Sequence, residues 1–148
     1  MNALRQRTIP IFAALVALFA LAVGTAGCGS QVHLESPVGV WRAAPPETGV
    51  LQIFEDGTFT ITDSSFDIGY GGKAPRNYRA EGDWNLASDA EWVYLYTNYD
   101  YVGDRAAGGA GGHSREFADG RIVFESEDLS ITFVYDPSAS PTPSGSVD

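Results

Sequence analysis

The chain reads as all-β: a small antiparallel up-and-down barrel of about eight strands, following a cleaved N-terminal signal helix. Three observations predict this. From Val38 onward, apolar and polar residues alternate with period two in short runs, the spacing that turns one side of a strand to a core and the other to water. Turn residues separate the runs at close intervals, so that neighbours in sequence pair as hairpins. After the leader no stretch carries a helical period, and strands joined locally in this way close into a barrel or stack as a sandwich.

The leader comes first. Arg5 and Arg7 stand ahead of fifteen uncharged residues, Ile9 to Val23, and small residues then lead to the single cysteine of the chain, Cys28. Those are the three zones of a secretory signal peptide. Thr25-Ala26-Gly27-Cys28 resembles the lipobox of bacterial lipoproteins. The resemblance implies that the thiol of Cys28 receives diacylglycerol and that residues 1–27 are cut away. Two alternatives stay open: cleavage after Ala26 with free secretion, and an uncleaved anchor, since Ile9 to Gly27 is nineteen residues and long enough to span a bilayer. All three place the domain outside the cytoplasm. The lipobox reading places it at the cell membrane, lipid-anchored on the extracytoplasmic face.

Loss of residues 1–27 removes two of nine basic residues and no acid, so the mature net charge is 7 − 19 = −12. Such a surface repels nucleic acid, which is excluded as a partner class. With one cysteine no disulfide forms inside the domain, and stability rests on packing; 44% apolar and 12% aromatic residues allow it. Residues 28–37 read as the acylated cysteine and a polar tether, 38–136 as the barrel and 137–148 as a disordered tail.

Within the barrel, Val38 to Ala43 is the first strand and Ala44 to Gly49, with two prolines, a loop. Val50 to Phe54 and Thr58 to Asp63 flank Glu55-Asp56-Gly57. A three-residue loop with Gly57 left-handed pairs Ile53 with Phe59 and Leu51 with Ile61, and gathers all four apolar side chains on one face. Asn77 to Leu86 sets Tyr78, Ala80, Gly82, Trp84 and Leu86 against Arg79, Glu81, Asp83 and Asn85. Across a turn at Ala87 to Ala90, Leu86 pairs with Glu91, Trp84 with Val93 and Gly82 with Leu95. Trp92, Tyr94 and Tyr96 then share the polar face with Glu81, Asp83 and Asn85. Arg115 to Ala118 and Arg121 to Glu125 meet across Asp119-Gly120, with Phe117 opposite Ile122. Glu127-Asp128 turns the chain into Leu129 to Tyr135, pairing Phe124 with Ile131 and Ile122 with Phe133.

If the strands alternate up and down, three of the longest connections, Ala44 to Gly49, Ser64 to Arg76 and Asn98 to Ser114, lie at one end, opposite the tight turns. That describes a cup. Gly39-Val40-Trp41, followed by Leu51-Gln52-Ile53-Phe54-Glu55-Asp56-Gly57-Thr58-Phe59 and Gly82-Asp83-Trp84, resembles the small lipocalin-like bacterial lipoproteins over Val38 to Tyr135. The resemblance implies a barrel whose closed end is plugged by the tryptophan of the first strand, here Trp41.

No enzyme constellation holds. Gly69-Tyr70-Gly71-Gly72-Lys73 lacks phosphate-loop spacing and has Ala74 where a magnesium-binding hydroxyl belongs. His113 and Ser114 supply ingredients of a Ser-His-Asp set without a nucleophile elbow. Two histidines and one committed cysteine are too few for zinc, and the pairs Asp100 with Asp104 and Asp63 with Asp67 match no calcium loop. His33 sits alone in the tether. No catalysis, cofactor or metal is expected. Two binding sites compete instead. Phe66, Tyr70, Tyr99 and Tyr101 on the rim, above Trp84 in the interior, suit a small apolar ligand. The outward row Trp92, Tyr94 and Tyr96 suits a cell-wall glycan or an envelope protein.

Overall fold

In the computed structural model the described residues are 32–76, 78–102, 105–106 and 111–142, with the backbone alone of Tyr99 and Asp100. The expectations for residues 1–31, Cys28 among them, for Asp104 and for the tail beyond Thr142 lie outside these. The described chain is all-β. Its strands are β1 (Gly39–Ala43), β2 (Val50–Ile53), β3 (Thr58–Thr62), β4 (Phe66–Asp67), β5 (Gly72–Lys73), β6 (Tyr78–Leu86), β7 (Trp92–Val102), β8 (Arg105–Ala106), β9 (Gly111–Glu116), β10 (Arg121–Glu125) and β11 (Ser130–Tyr135). Nine of them form one antiparallel sheet, strongly curled into a half-barrel, in the order β10-β11-β1-β2-β3-β6-β7, with β8 and β9 both paired to β7.

Local chemistry sets most of the registers. Gly57 takes φ of 90°, the left-handed turn position, and β2 pairs with β3 as Leu51 with Ile61 and Ile53 with Phe59. β10 pairs with β11 as Ile122 with Phe133 and Phe124 with Ile131, around a turn closed by the Ser126 N–H donating to the Leu129 carbonyl. Between β6 and β7 the faces are those expected, but the register is two residues away: Trp84 lies opposite Leu95 and Leu86 opposite Val93. The reason is a wider turn, with the Ala87 N–H donating to the Trp92 carbonyl and Ala90 at φ of 56°. A shift of two leaves every side chain on its own face.

Farther along the same pair a β-bulge intervenes. Gly82 faces Thr97 while Glu81 faces Tyr99, so Asn98 is an extra residue on β7. Gly82 makes this possible. A Cβ built there would stand 1.8 Å from the Tyr96 carbonyl oxygen, so only glycine lets the two backbones approach. The bulge resets the alternation, and Tyr101, opposite Arg79, returns to the outer face. Tyr99 and Tyr101 therefore belong to β7 and not to a rim loop, a correction to the expected loop Asn98 to Ser114.

The connection from β3 to β6 also departs from expectation. Instead of standing as a rim, it folds into the β4–β5 hairpin and buries Phe66, 2% exposed, and Ile68, 0% exposed. Ser64 Oγ donates to the Phe66 carbonyl, and the Ile68 N–H donates to Tyr78 Oη. The inner face of the sheet is closely filled: Trp41, Phe59, Tyr78, Phe117, Phe124 and Phe133 join Phe66 among the fully buried side chains. Each large apolar side chain withdrawn from water contributes about 1.5–3 kcal/mol. Trp41 Nε1 donates to the Pro37 carbonyl, and its ring meets Tyr135 edge-on at 5.3 Å.

Two further corrections concern the ends of the sheet. The segment before β1 is no free tether: the Leu34 N–H donates to the Ala118 carbonyl, Leu34 packs on the core and Pro37 is buried. And β9 and β10, though joined by the tight Asp119-Gly120 turn, share no ladder among the described residues. Phe117 does not face Ile122. Its N–H donates to the Glu91 carbonyl, and the Gly120 carbonyl accepts from the Tyr135 N–H. The backbone groups that would start a β9–β10 ladder are thus already bonded to flanking strands, and the two strands diverge along a seam.

Candidate functional site

β7 supplies one side chain in two to water. Before the bulge its inward residues Val93, Leu95 and Thr97 are buried, while Trp92, Tyr94 and Tyr96 stand outside, 38%, 37% and 44% exposed. The Tyr94 and Tyr96 ring planes differ by 25°, with centroids 6.4 Å apart. On the β9 side their register partners are Glu116, Ser114 and Gly112. Gly112 matters because a Cβ there would lie 3.3 Å from Cδ1 and Cε1 of Tyr96: the ring leans over bare backbone. On the β6 side Asn85 and Asp83 face Tyr94 and Tyr96, and Asn98 Nδ2 donates to Asp83 Oδ2 at 2.7 Å. Past the bulge, the Arg79 guanidinium stands 4.6 Å over the Tyr101 ring, whose hydroxyl donates to Glu81 Oε1 at 3.1 Å. The result is a row of rings, with the small residues Gly112 and Ser114 and then Glu116 along one flank and hydrogen-bonding side chains along the other.

At Trp92 the row meets the seam. A groove of about 570 Å³ opens there, lined by Trp92, Ser114, Arg115 and Glu116 on one side and by Arg121, Val123 and Glu125 on the other. Its floor is charged. Arg115 faces Val93 in the register and so points inward, with its Cζ 4.8 Å over the Phe124 ring. Its Nη1 donates to the Ser114 carbonyl at 2.7 Å, while its Nε is buried without a hydrogen-bond partner among the described residues. Burial pulls its pKa down and Glu125 opposes this, but a guanidinium stays protonated. His113, one step away on the same face, meets Phe124 edge-on at 5.9 Å, and its Nε2 is likewise unpartnered among the described residues. Burial, then the charge of Arg115, lower its pKa against a hydrogen bond to the Ile68 backbone, so this imidazole is neutral at pH 7.

The residues expected to line a cup are not brought together. Phe66 is core, 6.2 Å from Phe124, and Tyr70 stands on the β4–β5 turn, 72% exposed. Trp84 is half-buried at the opposite end, its Nε1 donating to the Phe54 carbonyl at 2.7 Å. Tyr101 is on the outer face, and Tyr99 holds the register position opposite Glu81. The three residues of the outward row, by contrast, lie together as expected. Asp67, weighed as a cation ligand, accepts from the Gly69 and Tyr70 N–H groups and shapes a turn. Among the described residues no group of three or more His, Cys, Asp or Glu side chains is placed to hold a metal.

Arg115 was not singled out from the sequence. A signal was present: in Gly112-His113-Ser114-Arg115-Glu116 the strand alternation sets His113 and Arg115 on one side, but the preceding glycines read as loop. Compared with protein-family models, curated proteins and solved structures, the chain matches none significantly.

Proposed function

We propose that this chain is an exported module, held to the membrane by lipid on Cys28, that acts by binding a cell-envelope glycan on the β7 row. One observation carries the reading: Trp92, Tyr94 and Tyr96 lie in register on one strand with 37–44% of each side chain open, between Gly112 and Ser114 on one flank and Asp83 and Asn85 on the other. A saccharide offers flat C–H faces that stack on rings and hydroxyls that need acceptors, and this strip supplies both. Covering the open part of each ring contributes about 1–2 kcal/mol through the apolar area withdrawn from water. Three of them, with a few solvent-competed hydrogen bonds, correspond to dissociation constants of roughly high-micromolar to millimolar order.

The test is retention of the full chain, in mild detergent, on insoluble cell-wall glycan stripped of protein. Replacing both Tyr94 and Tyr96 by alanine removes two contacts and weakens retention by roughly tenfold or more. Unchanged retention of that double variant would sink the reading.

A second reading, a lipocalin-like up-and-down barrel carrying a small apolar molecule, draws support from the curl of the sheet and from the burial of Trp41. It ranks behind because Trp41, Phe59, Phe66, Tyr78, Phe124 and Phe133 occupy the inner face that such a molecule needs. A co-purified mass in native mass spectrometry, lost on solvent extraction, would reverse the ranking.

A further inference from the structure

We infer that the glycan bound on the β7 row carries carboxylate groups, and that Arg115 receives one of them at the floor of the groove between β9 and β10. The inference rests on the glycan reading and names its substrate class. Trp92 belongs both to the row and to the lining of the groove, so a chain of sugars lying along the rings continues over the seam. There it meets a guanidinium with a buried, unpartnered Nε. Among the described residues Arg115 has no carboxylate at contact distance, and Glu125 on the opposite wall acts on it only through space.

The cost of that arrangement decides the ligand's chemistry. A buried donor left without an acceptor costs a factor of roughly ten or more in stability, and a charged one costs more. An arriving carboxylate removes the penalty through a charge-assisted hydrogen bond. Ser114 and, on the opposite wall, Arg121 add a hydroxyl and a second cation. The groove also carries Glu116, Asp119 and Glu125, which oppose an anion, as does the chain's net charge of −10, so the attraction is local to Arg115 and Arg121. Those three are exposed, and an exposed like charge at 4 Å costs a factor of about five before salt screening. Three such charges together cost a factor of roughly a hundred unscreened; Arg121 cancels about one of them, and cellular salt shrinks the remainder toward the size of the gain at the buried Arg115 Nε. A neutral saccharide offers Arg115 only a hydroxyl oxygen and leaves most of the gain unused.

The experiment compares matched pairs of probes on the full chain in mild detergent: oligogalacturonate and oligoglucuronate, each beside its methyl ester. Esterification removes the charge and keeps the sugar. Titration calorimetry is expected to show the acid of at least one pair binding roughly 10–100-fold more tightly than its ester. In the unaltered protein the Arg115 Nε–Hε NMR resonance should shift with the acid and not with the ester, a readout that requires no variant. Arg115→Gln should bring acid and ester to equal affinity, and Trp92→Ala should weaken both forms alike. If acid and ester bind equally and the resonance stays in place, the carboxylate inference is overturned while the glycan reading stands. If neither form of any pair binds, the carboxylate inference is overturned, and the glycan reading is decided separately by the cell-wall retention test.

Discussion

Replacing Gly82 by alanine tests the geometry that joins fold to site. The new Cβ would lie 1.8 Å from the Tyr96 carbonyl oxygen, 2.8 Å from its carbon and 3.0 Å from Phe59 Cε1. Since real contacts of this kind do not fall below 3.0 Å, β7 must recede from β6 by at least 1.2 Å at this point. Ladder hydrogen bonds start near 2.9 Å, so the bonds either side of the bulge stretch beyond about 4 Å and are lost. Two bonds at about 1 kcal/mol each, in a stretch where Gly82 and Thr97 are buried, with Phe59 disturbed as well, bring the cost to about 2–4 kcal/mol. In a domain of this size that lowers Tm by roughly 10–15 °C, measurable by near-ultraviolet circular dichroism. Glycan retention should fall with it at any temperature, since Tyr96 itself is the residue displaced. If G82A unfolds within a degree or two of the parent, the close approach and the bulge argued from it are wrong.

Three other outcomes follow from particular residues. Phe66→Ala should destabilise by about 3–5 kcal/mol, read as a fall in the urea midpoint, because it empties the fully buried space that the β4–β5 hairpin fills; a near-neutral result would mean the hairpin is no cap. Asp136 is held down to about 2, first by the Ser138 hydroxyl, then by Arg42 and the Ser138 N–H. A depressed carboxylate stabilises above its unfolded pKa and loses that contribution as pH falls from about 4 through about 2. The urea midpoint of Asp136→Asn should therefore depend less on pH in that window. His113, pushed below 6.5 chiefly by burial, should titrate by NMR below that value, and stability should rise with pH between its folded pKa and 6.5; a midpoint above 6.5 would contradict its placement in the seam.

What could be read from the sequence, and what could not, divides along a physical line. The β2–β3 register was legible because a glycine three residues into a short loop admits few geometries. The faces of β6 and β7 were legible through parity, so the outward row was found even though the register was two residues off. The bulge was not, because it depends on an absent Cβ at Gly82 meeting a carbonyl on another strand. Phe66 and Ile68 sit among serines and glycines that look like rim loop, and their burial comes from tertiary packing. The seam was hidden by a turn signal that was itself sound. Gly120 has φ of 77° and Asp119 Oδ1 accepts from the Arg121 N–H, yet the ladder beyond the turn never starts. Arg115 was missed with it.

The seam also divides the molecule in time. Among the described residues β10 and β11 form a hairpin with a backbone ladder on one flank, through Trp41 opposite Tyr135, Arg42 opposite Val134 and Ala43 opposite Phe133. On the other flank β9 offers side chains, not peptide groups. β7 by contrast is bonded along both edges for most of its length. The hairpin is therefore the unit expected to swing out first, and β10 amides should exchange with solvent water faster than those of β7. A ligand spanning the groove would supply the missing fastening, so slowed exchange in β10 on binding would show the sheet being closed by what it holds.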